Sequence, residues 1–157
     1  MDYQNPDIVK DRAHLNIHYK SCPGTYEQEF NRMVDNGEVS LRGLKTDAKV
    51  FDELVFDVNT AYFENHGGYE YAKEFFAEAY KLAVKEAGGE EYVLSAVLHA
   101  DERNKALTAQ YGYDVFHYHL HVVYCQTIFC RFMSTADISH YDVVITNIFL
   151  VNGGNFD

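Results

Sequence analysis

The sequence predicts an α+β domain, an antiparallel sheet flanked by helices, and three observations carry that prediction. Residues 14–20 and 116–124 alternate apolar and polar side chains, the period of two that sends neighbours to opposite faces of a strand. Residues 69–87 instead place Ala72, Phe75, Phe76, Ala79, Tyr80, Ala83 and Val84 at helical spacing and stop at Gly88-Gly89. The chain has 157 residues, 47% of them apolar, with 13 Tyr, 11 Phe and only 2 Pro. That is enough for one hydrophobic core and far from a disordered composition.

The elements follow in order. In residues 14–20, Leu15, Ile17 and Tyr19 share one side of a strand, and Cys22-Pro23-Gly24 ends it. Thr25 can cap a helix whose stripe is Tyr26, Phe30, Met33 and Val34, with Asn36-Gly37 as its stop. A basic, turn-rich stretch, Arg42-Gly43-Leu44-Lys45, leads into a second strand over residues 48–58. There Leu54, Phe56 and Val58 occupy one face, and Glu53, Val55 and Asp57 the other. After the long helix, residues 92–99 form a near-continuous apolar run, which predicts a central strand covered on both faces. Residues 142–151 combine high β propensity, one charge and no proline, the profile of an added edge strand or a poorly packed segment.

Thirteen Lys+Arg against 24 Asp+Glu give a net charge of -11, the wrong sign for a surface that attracts nucleic acid everywhere. Any DNA binding must be local. The three cysteines, Cys22, Cys125 and Cys130, include no CxxC pair, which argues against a disulfide framework or a zinc knuckle. The apolar run over residues 143–151 is far short of the ~20 residues of a membrane span. The polar start Met1-Asp2-Tyr3-Gln4-Asn5 is no signal peptide. A cytoplasmic protein with no membrane partner is expected.

Chemistry concentrates where alternation collects His117, His119 and His121 on one face of residues 116–124, opposite Phe116, Tyr118, Leu120, Val122 and Tyr124. Same-face neighbours stand about 6.8 Å apart along a strand, so two adjacent imidazoles can converge on one ion, whereas His117 and His121 are twice as far apart. At most two of the three are expected as ligands of a single ion. His99-Ala100-Asp101-Glu102 offers a third ligand: if the two strands pair antiparallel, His99 faces the His119/His121 pair. Imidazoles suit Mn, Fe, Co, Ni or Zn better than Mg or Ca, and Asp101 or Glu102 could add a carboxylate or orient a histidine.

These residues resemble the plasmid mobilization/recombination (Mob/Pre, MobV-type) relaxases, a branch of the HUH endonucleases. The likeness lies in His99-Ala100-Asp101-Glu102 followed by His119-Leu120-His121-Val122-Val123-Tyr124. Upstream it lies in Asn5-Pro6-Asp7-Ile8 and Asp11-Arg12-Ala13-His14-Leu15-Asn16, then in Gly43-Leu44-Lys45-Thr46-Asp47-Ala48 and Asp52-Glu53-Leu54-Val55. The resemblance implies a relaxase-type sheet flanked by helices and a divalent cation, Mn²⁺ or Mg²⁺. It implies nicking of one strand of plasmid or mobile-element origin DNA through a covalent protein-phosphate link. Carried over by position, His99, His119 and His121 match the metal triad, and Glu102 and Glu53 match acidic catalytic positions. Arg12, Arg42, Lys45, Arg103 and Lys105 are candidate phosphate contacts on single-stranded or origin DNA.

The sequence also departs from the family pattern. The strand that carries the family's nucleophile precedes the first matching block, so an incomplete sheet without that nucleophile is expected, with His14 as the alternative candidate. His117 falls outside the family's HxH and reads as spare. The spacer over residues 103–116 is longer than the family's. Likeness ends at Tyr124, which divides the chain into a relaxase-like domain over residues 1–124 and a divergent tail over residues 125–157. Two competing readings stand beside a relaxase domain. One is a non-catalytic remnant that binds metal or single-stranded DNA. The other is an unrelated histidine-ligated metalloenzyme of the double-stranded β-helix type, against which the two helix patterns count.

Overall fold

A computed structural model describes residues 5–46 and 48–125 in full and the backbone of residues 147–151. Its five strands are β1 (Ile17–Lys20), β2 (Phe51–Asp57), β3 (Val93–Arg103), β4 (Phe116–Cys125) and β5 (Asn147–Val151). They form one sheet in the order β1-β3-β4-β2-β5, with every pair antiparallel. Four helices accompany it: α1 (Tyr26–Asp35), α2 (Thr60–Asn65), α3 (Tyr69–Ala87) and α4 (Lys105–Tyr111). A single sheet carrying helices is an α+β domain and leaves no room for the double-stranded β-helix reading.

Helix α1 starts where Thr25 Oγ1 accepts a hydrogen bond from Gln28 N and Gln28 Oε1 accepts one from Thr25 N, a reciprocal cap. Helix α3 stops at Gly88, whose φ of 92° is one that a residue with a Cβ adopts only under strain. Its buried stripe, which includes Phe75, Phe76 and Ala79, packs with Phe63 of α2 on Phe56, Leu98, Leu120 and Val122 of the sheet. This face is the main core. On the opposite face, α1 covers one end only, through Phe30 and Met33 against Leu94, Val123 and Cys125. Among the described residues no helix packs over the rest of that face, which is where the histidines lie.

Some elements differ from expectation. β1 begins at Ile17 rather than at residue 14, because Lys10–Leu15 forms a 3₁₀ turn. β3 runs four residues beyond His99, to Arg103, and β4 takes the middle place in the sheet. β3 is covered on both faces only at Leu94, under α1, while Val97 and His99 farther along that face are half-buried. Val97 on the open face is what made the apolar run look continuous. α2 and α4 lay in stretches read as connections, and at six and seven residues each is too short to display a 3.6-residue period. Each is capped by an asparagine, Asn59 or Asn104. The edge-strand expectation for residues 142–151 is met over β5, which runs along β2. Residues 142–146, Cys130 and most of the tail lie outside the described residues. No described helix is long and apolar enough to cross a membrane.

One irregularity positions the site. In the β3–β4 pair, His99 stands opposite His119 and Glu102 opposite His117, so three steps of β3 match two of β4. The extra residue is a β-bulge, and it reverses the alternation so that Glu102, not Asp101, joins the histidine face. The N-terminal segment holds this bulge. Asn16 accepts from Ala100 N at 2.7 Å and donates to Asp101 Oδ2 at 2.8 Å. Arg12 Nε donates to Ala100 O at 3.0 Å, and Val9 N to Asp101 O at 2.8 Å. Asp101 is therefore buried in a structural contact with Asn16 rather than in one with the histidines.

Asn16→Ala would strip the Ala100 N–H and the Asp101 carboxylate of this partner, and a buried polar group left unsatisfied costs about 1–3 kcal/mol. Urea unfolding should show a loss of about 2 kcal/mol, on the same scale. An unchanged midpoint would show that the bulge holds without Asn16.

Candidate metal centre

Strand register brings the imidazoles together. One cross-strand row runs His99, His119, Asp57, the next runs His18, Val97, His121, Val55, and a third pairs Glu102 with His117. His99 on β3 thus sits beside His119 on β4 and diagonal to His121. Their ring centroids are 5.0 Å apart for His99 and His119, 5.0 Å for His119 and His121, and 5.3 Å for His99 and His121. One ring nitrogen from each of the three lies within 4.8 Å of the others. The antiparallel pairing on which the three-histidine expectation depended is present, and the long spacer does not part the two clusters, because α4 folds it back over the hairpin end.

Burial keeps two of the three rings neutral. His119 is pushed from the ordinary histidine range down to about 3, chiefly because its ring is withdrawn from water and then because His117, His121 and His99 surround it. His99 is lowered too, by burial first and His121 second, with His18 of β1 adding to the effect. Neutral imidazoles are the form that can bind a cation. His121 Nδ1 is hydrogen-bonded to Glu53 Oε1 at 2.5 Å, which directs Nε2 of that ring to a ligand. His119 Nδ1 is buried without a hydrogen-bond partner, and its Nε2 is 3.9 Å from Glu102 Oε2. The donor set, three imidazoles with one nitrogen each within 4.8 Å of the others, fits a divalent transition ion.

Of the acidic candidates, Glu53 and Glu102 both reach the triad. The basic ones are more dispersed. Arg12 lies 3.5 Å from the centroid of the Phe116 ring, Arg103 pairs with Asp114 at 3.0 Å, and Lys105 pairs with Asp7 at 2.8 Å. Arg42 and Lys45 are exposed in the loop before β2. His14 is exposed in the 3₁₀ turn and makes no hydrogen bond, ion pair or ring contact with the triad.

Sequence reasoning missed the surroundings of His117. Its Nε2 is 2.9 Å from Asp57 Oδ1 and its Nδ1 2.7 Å from Thr60 Oγ1, so both nitrogens are engaged. Asp57 could have been found, since alternation places it on the face of Glu53; Thr60 carries no local signal. An open cavity of roughly 370 Å³ adjoins this corner, lined by Asp57, Thr60, Glu102, Arg103 and Asn104 among others.

The fold and the site together define an α+β domain whose open sheet face carries a histidine triad flanked by carboxylates. Residues 1–139 match the plasmid recombination enzyme (Mob/Pre) family, and the chain belongs to that family. The match runs past Tyr124. A plasmid recombination enzyme of Bacillus sp. is 31% identical over 100 residues, 63% of this chain and 24% of the relative. One of Streptococcus agalactiae is 30% identical over 108 residues, 64% of this chain and 20% of the relative. The chain thus spans about a quarter or less of the length of these relatives. No solved structure matches it significantly.

The lowered pKa of His119 has a stability consequence. Above pH ~6.5 the ring is neutral in both folded and unfolded chains and contributes nothing. As pH falls below that value the unfolded chain takes up a proton that the folded chain refuses until about pH 3, so stability must fall with pH across this window. In chelator, the urea midpoint should be lower at pH 5 than at pH 7, and His119→Gln should flatten that difference. A midpoint equally pH-independent in both proteins would contradict the assignment.

Proposed function

We propose that this part of a plasmid recombination enzyme holds one divalent cation, with Mn²⁺ preferred over Mg²⁺, through His99, His119 and His121. The centre serves the nicking of single-stranded DNA at a plasmid or mobile-element origin by the longer enzyme, in the cytoplasm. The observation that supports this most is the triad itself: three imidazoles from two strands, one nitrogen each within 4.8 Å of the others. A cation at such a centre polarises a phosphodiester oxygen and stabilises the charge that develops there. The chain's own residues do the rest. Glu53 keeps the His121 tautomer that leaves Nε2 unprotonated, and Glu102 stands at the edge of the triad, where it can hold or pass a proton. Burial keeps His119 and His99 unprotonated at neutral pH.

With a net charge of -11, DNA contact depends on local cations. Arg42 and Lys45 are the two basic candidates with no side-chain hydrogen bond, ion pair or ring contact among the described residues, which suits them to phosphate. A second reading, metal and single-strand binding without cleavage by these residues alone, is favoured by His14 making no contact with the triad.

Calorimetry should find one Mn²⁺ per chain, lost on His119→Ala or His121→Ala and unchanged in His14→Ala. Absence of binding by the unaltered chain would remove the proposal. Incubation with supercoiled origin plasmid and Mn²⁺, followed by denaturing electrophoresis, should show no covalent protein-DNA adduct from the 157-residue polypeptide. An adduct would refute the second reading, and mapping it, His14 first, would name the nucleophile.

A further inference from the structure

We infer that His117 is a positioning residue of the metal centre: its imidazole, clamped by Asp57 and Thr60, is a fixed plate stacked against His119 that holds that ring in its ligating orientation. The inference rests on His99, His119 and His121 being the ligands. A metal-binding histidine is ordinarily oriented by a hydrogen bond from its second nitrogen. His121 follows that rule through Glu53. His119 does not, since its Nδ1 is buried without a hydrogen-bond partner. Rotation of an imidazole about χ2 is soft, so something else must hold the ring.

Two near-parallel neighbours supply the answer: His99 lies 5.0 Å away between centroids with 24° between planes, and His117 5.1 Å away with 25°. A ring stacked against two such neighbours cannot turn without driving its edge into one of them. His99 is itself a ligand and no independent reference. His117 is anchored from outside the triad by a directional chain: Asn104 Nδ2 donates to Thr60 Oγ1 at 3.2 Å, Thr60 Oγ1 to His117 Nδ1 at 2.7 Å, and His117 Nε2 to Asp57 Oδ1 at 2.9 Å. Because the Asp57 carboxylate can only accept, the His117 proton sits on Nε2, and Nδ1 of the neutral ring then accepts from the Thr60 hydroxyl. Each anchor is itself placed by a regular element. Thr60 is 4% exposed at the start of α2, Asn104 caps α4 by accepting from Leu107 N at 3.0 Å, and Asp57 ends β2 directly opposite His119.

Loosening the clamp should therefore weaken the centre without removing a ligand. The test uses the full 157-residue chain, Mn²⁺ calorimetry and the visible spectrum of the Co²⁺-loaded protein, with the melting temperature of each metal-free variant as a check on folding. Thr60→Val removes the donated hydroxyl proton at nearly constant volume. It should lower affinity for both ions about tenfold, the low end for a residue behind a ligand, and alter the Co²⁺ bands. Thr60→Ser should restore both. His117→Ala should lose more than His117→Phe, which keeps a plate, and this pair decides the matter if Thr60→Val does not fold. If the unaltered chain binds and His119→Ala does not, while Thr60→Val and His117→Ala bind with unchanged affinity and spectrum, the positioning role is overturned and the triad stands. If the unaltered chain binds neither ion, both inferences fall.

Discussion

The pairing of β3 with β4 repeats every two residues on each strand, so a slip of one would send His99 to the helix-covered face and Leu98 to solvent. Burial forbids that slip. Leu98, Leu120 and Val122 are fully buried under α3 together with Phe56 and Phe76. Burying each such side chain is worth about 1.5–3 kcal/mol relative to leaving it exposed. No histidine contact approaches this sum, and none of the imidazoles gains from being close to another uncharged one. The polar face is thus the passive partner. Its geometry is dictated through the sheet by the apolar face behind it, which brings three groups together that have no reason of their own to meet.

The bulge between His99 and Glu102 breaks that regularity beside the histidines, and the break is maintained by the segment leading to β1. Were β3 regular, Asp101 would project among the histidines and Glu102 away from them. The shorter carboxylate is instead tied to Asn16, and the longer one reaches the edge of the triad. The first elements of the chain thus act on a site to which they contribute no ligand.

Much of this was legible in the sequence because it depends on periodicity and punctuation. Thr25 and Gly88 mark helix ends that the structure reproduces, and alternation put His119, His121, Glu53 and Asp57 on the faces they occupy. What was not legible depends on register and on short elements. A bulge has no residue signature, so periodicity alone left Asp101 and Glu102 open, and only the family resemblance pointed to Glu102. Thr60 reaches His117 across 57 positions of sequence, and nothing local announces it. His18 joins the histidine face only because β1 lies beside β3.

The place of β5 has a consequence for how the site withstands thermal fluctuation. Without it, β2 would be a boundary strand, bonded along one side, and boundary strands fray and exchange their amide hydrogens first. With β5 opposite residues 53–57, β2 is bonded on both sides over the very stretch that carries Glu53 and Asp57. The carboxylates that aim His121 and anchor His117 therefore ride on backbone sealed into the interior of the sheet, and fraying is displaced onto two strands, β1 and β5, that supply none of the triad.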